Sequence, residues 1–231
     1  MPPPRNGSSL GPPVAAGEAA PLAPEARRLH RGLVEAVLAT GSVPSVRELA
    51  GRFGAAEESM RAGLATLAAA DYLALDGRGQ VSCLYPFSTA PTAHGIVIDG
   101  RQRYAMCSID ALGIPAMIDQ ELEITGRCAI CDRTIAIRVA PGAILTATPP
   151  ETRVVARQDE AEPACAACCP FTVFVCSQEH ADRFARRIAG THALSLGEAL
   201  THVEEIFGGL LAEELPASRP RGRRWGQARN A

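Results

Sequence analysis

At 231 residues the chain is long enough for one large domain or two small ones with a real core, and its net charge of -2 exerts no global pull on nucleic acid or anionic lipid. Basic residues are all arginine, and with only 4% aromatics the core must be built from Ala, Leu, Val and Ile. No apolar leader follows Met1 and no apolar run reaches membrane-spanning length, so the expectation is a cytoplasmic chain, in which the eight cysteines serve metal, redox or nucleophilic roles and not disulfide staples.

In chain order, residues 1–23 are rich in Pro, Gly, Ala and Ser and read as a disordered arm. Pro24 suits the first turn of a helix in which Leu29, Leu33 and Val37 recur to about Thr40, and Gly41 stops it. Ser45 and Glu48 form a capping box for a second helix to about Arg52. A third runs from Ala56 to Ala70 with Met60, Leu64 and Leu67 inward. Tyr72–Leu75 and Gln80–Tyr85 flank Asp76-Gly77-Arg78-Gly79 as a hairpin. Three helices and a hairpin predict a winged-helix-like module over residues 24–88. The third helix opens with Glu57 and Glu58 and one nearby Arg61, which argues against DNA binding and for a structural module.

The second domain is expected over 89–215. It starts with a strand, His94–Asp99, followed by a helical stretch, Tyr104–Ile118. Strands follow at Glu121–Thr125, Thr134–Val139, Ala143–Ala147, Arg153–Ala156 and Phe171–Cys176, then helices at Asp182–Ala189 and from Leu196 to about Leu211. A basic tail, 216–231, is expected to be disordered. The fold class predicted is α+β: the helical module, then a mixed β-sheet domain with flanking helices that carry the cysteine site.

Cys107 and Asp110 lie about one helical turn apart in an otherwise apolar run. A thiolate is a soft nucleophile and metal ligand, and a carboxylic acid in apolar surroundings tends to hold its proton and can give it away. The bland reading is a buried Cys and an Asp capping a turn. Two groupings compete for the other cysteines. Cys128-x-x-Cys131 with Cys165-x-x-Cys168 is the ligand pattern of a tetrahedral zinc site. Alternatively Cys107, Asp110 and one of Cys168 and Cys169 converge on a soft ion. His30, His94, His180, His192 and His202 are scattered and read as surface or core residues; no Gly-rich phosphate loop or GxSxG elbow is present.

Tyr104, Cys107, Asp110, Leu112 and Pro115 stand in the pattern of an aromatic lead-in followed by C-x-x-D-x-L-x-x-P, and in this the chain resembles the organomercurial lyase (alkylmercury lyase) family. Cys128 matches a further family cysteine that heads a strand. Phe174, Ser177, Ala181 and Phe184 match the segment after the second catalytic cysteine; read without a gap they point to Cys169, and with one gap to Cys168. Leu194 to Phe207 resembles the last helix, so the resemblance covers roughly residues 25–211. Met106 stands where the family often has Trp, and Cys131, Cys165 and Cys168 are additional. The resemblance implies protonolysis of a carbon–mercury bond in mercury detoxification, with Cys107, Asp110 and Cys169 catalytic and holding the Hg(II) product. It implies no organic cofactor, and release of Hg(II) to small thiols or a mercuric reductase. A structural Zn on Cys128, Cys131, Cys165 and Cys168 would be an addition. The rival readings are a metal-responsive winged-helix regulator and a non-catalytic zinc- or soft-metal-binding protein.

Overall fold

Residues 22–157, 164–207 and 211 are described by the structure, a computed structural model; the tail and all of the arm before Leu22 lie outside them. Helix α1 (Pro24–Thr40) starts on its proline, where the missing N–H costs nothing, and buries Leu29, Leu33 and Val37. Gly41 ends it in the left-handed region (φ 82°), its N–H on Val37 O. Ser45 and Glu48 cap α2 (Val46–Phe53) reciprocally, as expected. In α3 (Glu57–Ala69) Leu64 and Leu67 are buried, and Met60 is partly so. The hairpin of β1 (Leu73–Leu75) and β2 (Val81–Leu84) turns where Asp76 accepts the Arg78 and Gln80 N–H groups. A short strand not foreseen, β3 (Phe87–Ser88), pairs with β2 to complete a three-stranded sheet.

The next sheet contains β4 (His94–Ile98), β5 (Arg101–Tyr104), β6 (Leu122–Arg127), β7 (Thr134–Ala140) and β8 (Ala143–Thr148), in the order β5-β4-β6-β7-β8. Alternation turns Leu122, Ile124, Ile135, Ile137 and Val139 inward. Between β5 and β6 the chain forms α4 (Ser108–Ile118), buried from Ser108 to Pro115. A helix apolar all round must be enclosed, and this one lies at the centre of the second half of the chain. A third sheet has β9 (Arg153–Arg157) between β10 (Val173–Val175) and β11 (Thr191–Ser195). Also present are α5 (Ala164–Ala167), a 3-10 turn at Cys169–Phe171, α6 (Gln178–Ala185) and α7 (Leu196–Phe207).

The fold is α+β, but among the described residues every strand pair is antiparallel, where a mixed sheet was expected. Short connections such as those between β4 and β5 and between β7 and β8 permit only antiparallel neighbours. Tyr104 closes β5 and does not open the helix. Pro170 lies in the 3-10 turn, so the strand expected from Phe171 begins at Val173. Ser177 caps α6 through the His180 N–H, which starts that helix four residues before the expected Asp182.

Buried side chains of α1–α3 and of the sheets belong to one contiguous core. Arg103 of β5 joins the two parts. It is buried, and donates from Nε to Val37 O (2.9 Å) and from Nη2 to Leu38 O (2.8 Å), satisfying carbonyls at the end of α1.

Candidate active site

Cys107 is the N-cap of α4, and Asp110 is its third residue. The Asp110 N–H donates to Cys107 Sγ (3.4 Å), and the Cys107 thiol donates back to Asp110 Oδ2 (2.9 Å). This is an N-cap in which sulfur replaces a hydroxyl, with the return bond running from the thiol instead of the backbone N–H of a capping box, at a helix end whose dipole favours negative charge. The bland reading, a cap at a turn, and the functional one therefore describe the same local structure, with the cysteine as the cap.

The fold brings Cys169, not Cys168, to this pair. Cys169 Sγ lies 3.7 Å from Asp110 Oδ2, and the three ligand atoms of Cys107, Asp110 and Cys169 are all within 4.8 Å of one another. The 3-10 turn makes the choice, because it aims successive side chains in different directions. It is held close to α4 by the Ser108 N–H on Thr172 O (3.2 Å). All three side chains are buried, at 4%, 3% and 6% exposure. Burial pushes the Cys107 thiol up, the nearby Asp110 carboxylate adds to this, and a hydrogen bond with Cys169 opposes it. Two soft sulfurs share one carboxylate oxygen that can receive a proton from either. Such a set can bind a soft metal ion and move a proton beside it.

The four-cysteine zinc arrangement does not form. Cys165, in α5, hydrogen-bonds to Cys83 and Tyr85. Cys83 holds the Cys165 thiol down at about 6, against burial. Burial and nearby sulfurs push Tyr85 up. Cys168 caps the 3-10 turn and is half-buried. Neither side chain belongs to the group around Cys128 and Cys131, because the β6–β7 turn faces the end of β10 and not α5.

What gathers there is Cys176 and His180, with the four ligand atoms within 4.8 Å of one another. Cys128 Sγ is 3.3 Å from His180 Nδ1, Cys176 Sγ is 3.1 Å from the same nitrogen, and Cys131 Sγ is 3.7 Å from Cys176 Sγ. Burial resists ionisation of Cys128, but the N–H groups of Ile130, Cys131 and Cys176 and the His180 ring converge on its sulfur and bring it to about 6. Burial and the two neighbouring thiols push Cys176 up to about 12. Sequence reasoning set His180 aside and gave Cys176 only a place in a strand. The available signal is their spacing, Cys176-x-x-x-His180, across a strand end and a capped helix start. His30 and His94 are buried core residues, as expected.

The alkylmercury lyase family pattern matches residues 87–208, which include every residue of both clusters. An alkylmercury lyase from Pseudomonas putida is 35% identical over 119 residues, 51% of this chain and 52% of the relative. One from Staphylococcus epidermidis is 31% identical over 121 residues, 52% and 54% of the two chains. The matched part thus spans about half the length of these two relatives. One from Bacillus cereus is 27% identical over 191 residues, 82% and 85%. The crystal structure of the mercury-bound form of MerB2 superposes with a TM-score of 0.67 over 82% of this chain and 91% of that one; at 22% identity this is a likeness of fold.

Proposed function

We propose that this chain, which belongs to the alkylmercury lyase family, cleaves the carbon–mercury bond of organomercurials by protonolysis to a hydrocarbon and Hg(II). The observation that carries this is the buried convergence of Cys107, Asp110 and Cys169. An organomercurial cation R–Hg⁺ is soft and binds thiolate sulfur. As mercury bonds to Cys107, that thiol's proton passes to Asp110 Oδ2, to which it already donates at 2.9 Å. Cys169 adds as the second sulfur, losing its thiol proton to solvent, and raises the electron density at carbon. Protonated Asp110 then delivers its proton to the carbon as the C–Hg bond breaks. In sum, R–Hg⁺ and two thiols give R–H, a bis-thiolate Hg(II) on Cys107 and Cys169, and one H⁺. Asp110, deprotonated again, stands beside that product. No step calls for an organic cofactor, and small thiols or a mercuric reductase would take the Hg(II) away.

The three-helix module fits a winged-helix-like role in supporting this site. Glu57 and Glu58 open α3, and Glu57 engages both Arg61 (2.9 Å) and Arg47 (3.7 Å), so the acidic turn occupies arginines that phosphates would need. No helix among the described residues is long and apolar enough to cross a membrane.

Hydrocarbon release from phenylmercury or methylmercury in excess thiol tests the proposal. Wild type and Cys168→Ser turn over, while Cys107→Ser and Cys169→Ser do not although they remain folded by circular dichroism. Wild-type rates in both Cys107→Ser and Cys169→Ser, or no turnover by the wild type, would overturn it.

A further inference from the structure

We propose that Cys128, Cys131, Cys176 and His180 form a structural Zn(II) site, separate from the mercury chemistry. Ligand distances support it. Two sulfurs bound to one tetrahedral zinc at about 2.3 Å lie about 3.7–3.8 Å apart, and a sulfur and an imidazole nitrogen lie about 3.5 Å apart. The cluster has one sulfur pair at 3.7 Å and sulfur–nitrogen pairs at 3.3 Å and 3.1 Å. An ion entering this space needs only small adjustments of side chains already converged.

Local backbone structure supports it as well. Cys128 to Cys131 form a knuckle at the end of the β6–β7 hairpin, closed by the Cys128 N–H on Arg133 O (2.9 Å) and the Asp132 N–H on Cys128 O (2.9 Å). Asp132 takes the left-handed conformation (φ 59°) that turns the chain back. The Ile130 and Cys131 N–H groups point at Cys128 Sγ, as does the Cys176 N–H (3.4 Å) from the facing segment. Backbone donors aimed at a sulfur stabilise it as a thiolate ligand. The second pair of ligands straddles a rigid junction, with Cys176 at the end of β10 and His180 in the first turn of α6, fixed by the Ser177 cap.

Donor type selects the metal. Three sulfurs and one imidazole, with no carboxylate, suit zinc and not magnesium or calcium. Four protein ligands leave no open position, which is the mark of a structural and not a catalytic zinc. Cys131 is exposed and His180 half-buried, so the ion can enter from solvent. Once bound it joins the β6–β7 turn to the β10–α6 junction. Cys169 precedes the same short strand at its other end, so zinc fixes the far end of the segment that carries this thiol.

The test is metal analysis of the full chain purified in reducing buffer. About one Zn per chain is expected, retained in Cys107→Ser and lost in Cys131→Ser/His180→Ala, with affinity at least about a hundredfold weaker in either single variant. Co(II) added to the chelator-stripped wild type should give the thiolate charge-transfer and tetrahedral ligand-field bands of a site with three sulfur ligands and one nitrogen ligand, and Zn(II) should displace it. This readout needs no variant to fold. Absence of both bound Zn and the Co(II) bands in the wild type overturns the proposal, as does Zn that leaves with Cys107→Ser/Cys169→Ser and stays in Cys131→Ser/His180→Ala. Hydrocarbon release on the same preparations reports the mercury site separately.

Discussion

Asp110 Oδ2 faces both thiols, at 2.9 Å from Cys107 Sγ and 3.7 Å from Cys169 Sγ, so one oxygen can take a proton from either and return it to carbon. Asp110→Asn keeps the size and the burial but cannot carry that proton. Hydrocarbon release in a single turnover should fall by roughly a hundred- to ten-thousandfold, while the two thiols still bind one Hg(II) tightly. Turnover within a few-fold of wild type would remove Asp110 as the proton carrier. The Cys107–Asp110 pair is legible in the sequence because a spacing of three puts both residues on one side of a helix start. The choice between Cys168 and Cys169 is not, because adjacent residues differ only in where a 3-10 turn aims them. Cys176 and His180 escaped for a related reason. Their partners come from a hairpin some 45 positions away, and only the packing of the β6–β7 turn against the β10–α6 junction makes them neighbours.

Helix α4 carries the site, and its position depends on one close approach. A Cβ on Gly113 would lie 2.2 Å from Phe207 Cδ2 of α7, so the two helices can pack this closely only around a glycine. Gly113→Ala should destabilise the protein by about 1–3 kcal/mol in urea unfolding, despite alanine's better helix propensity. An unchanged or raised midpoint would mean that Phe207 swings away freely. At the end of α1, Gly41 combines a φ of 82° with Arg103 Nη1 only 2.9 Å from where a Cβ would sit. Gly41→Ala should therefore cost at least about 1 kcal/mol by the same measurement, and no loss would sink the claim that Arg103 is locked there. The start, stop and capping box of these first helices are written in local residue chemistry, so they could be read directly. Strand β5 could not. Its Arg101-Gln102-Arg103-Tyr104 sequence is polar, and Arg103 is buried only because the end of α1 supplies carbonyls that the local sequence does not reveal.

Across the whole molecule, two buried histidines sit where separate parts of the core meet. His30 of α1 stands edge-on to Tyr72 (5.1 Å between ring centroids), and His94 of β4 stands edge-on to Phe174 of β10 (5.5 Å). Among the described residues, His30 Nε2 and His94 Nδ1 have no hydrogen-bond partner. Burial lowers both rings from 6.5 to about 4, so each is neutral in the folded protein while the unfolded chain protonates it near 6.5. Between these values the unfolded state binds more protons, and stability therefore falls as pH falls. The contribution is complete above about pH 6.5, declines through pH 5 and is spent near pH 4; it is on the order of 3 kcal/mol for each ring. Cys128 and Cys165, held at about 6, lose a smaller part of their own stabilisation as pH falls through that value, whereas Glu48 and Glu198 start from 4.5 and lose theirs at lower pH. Urea unfolding at pH 6.5 and pH 5 should show the protein markedly weaker at the lower pH. In His30→Leu/His94→Leu, which cannot take up these protons, the difference between the two pH values should shrink by most of its size. A wild type equally stable at both, or a double variant with the full acid sensitivity, would mean that these rings are not the groups forced to stay neutral by the core.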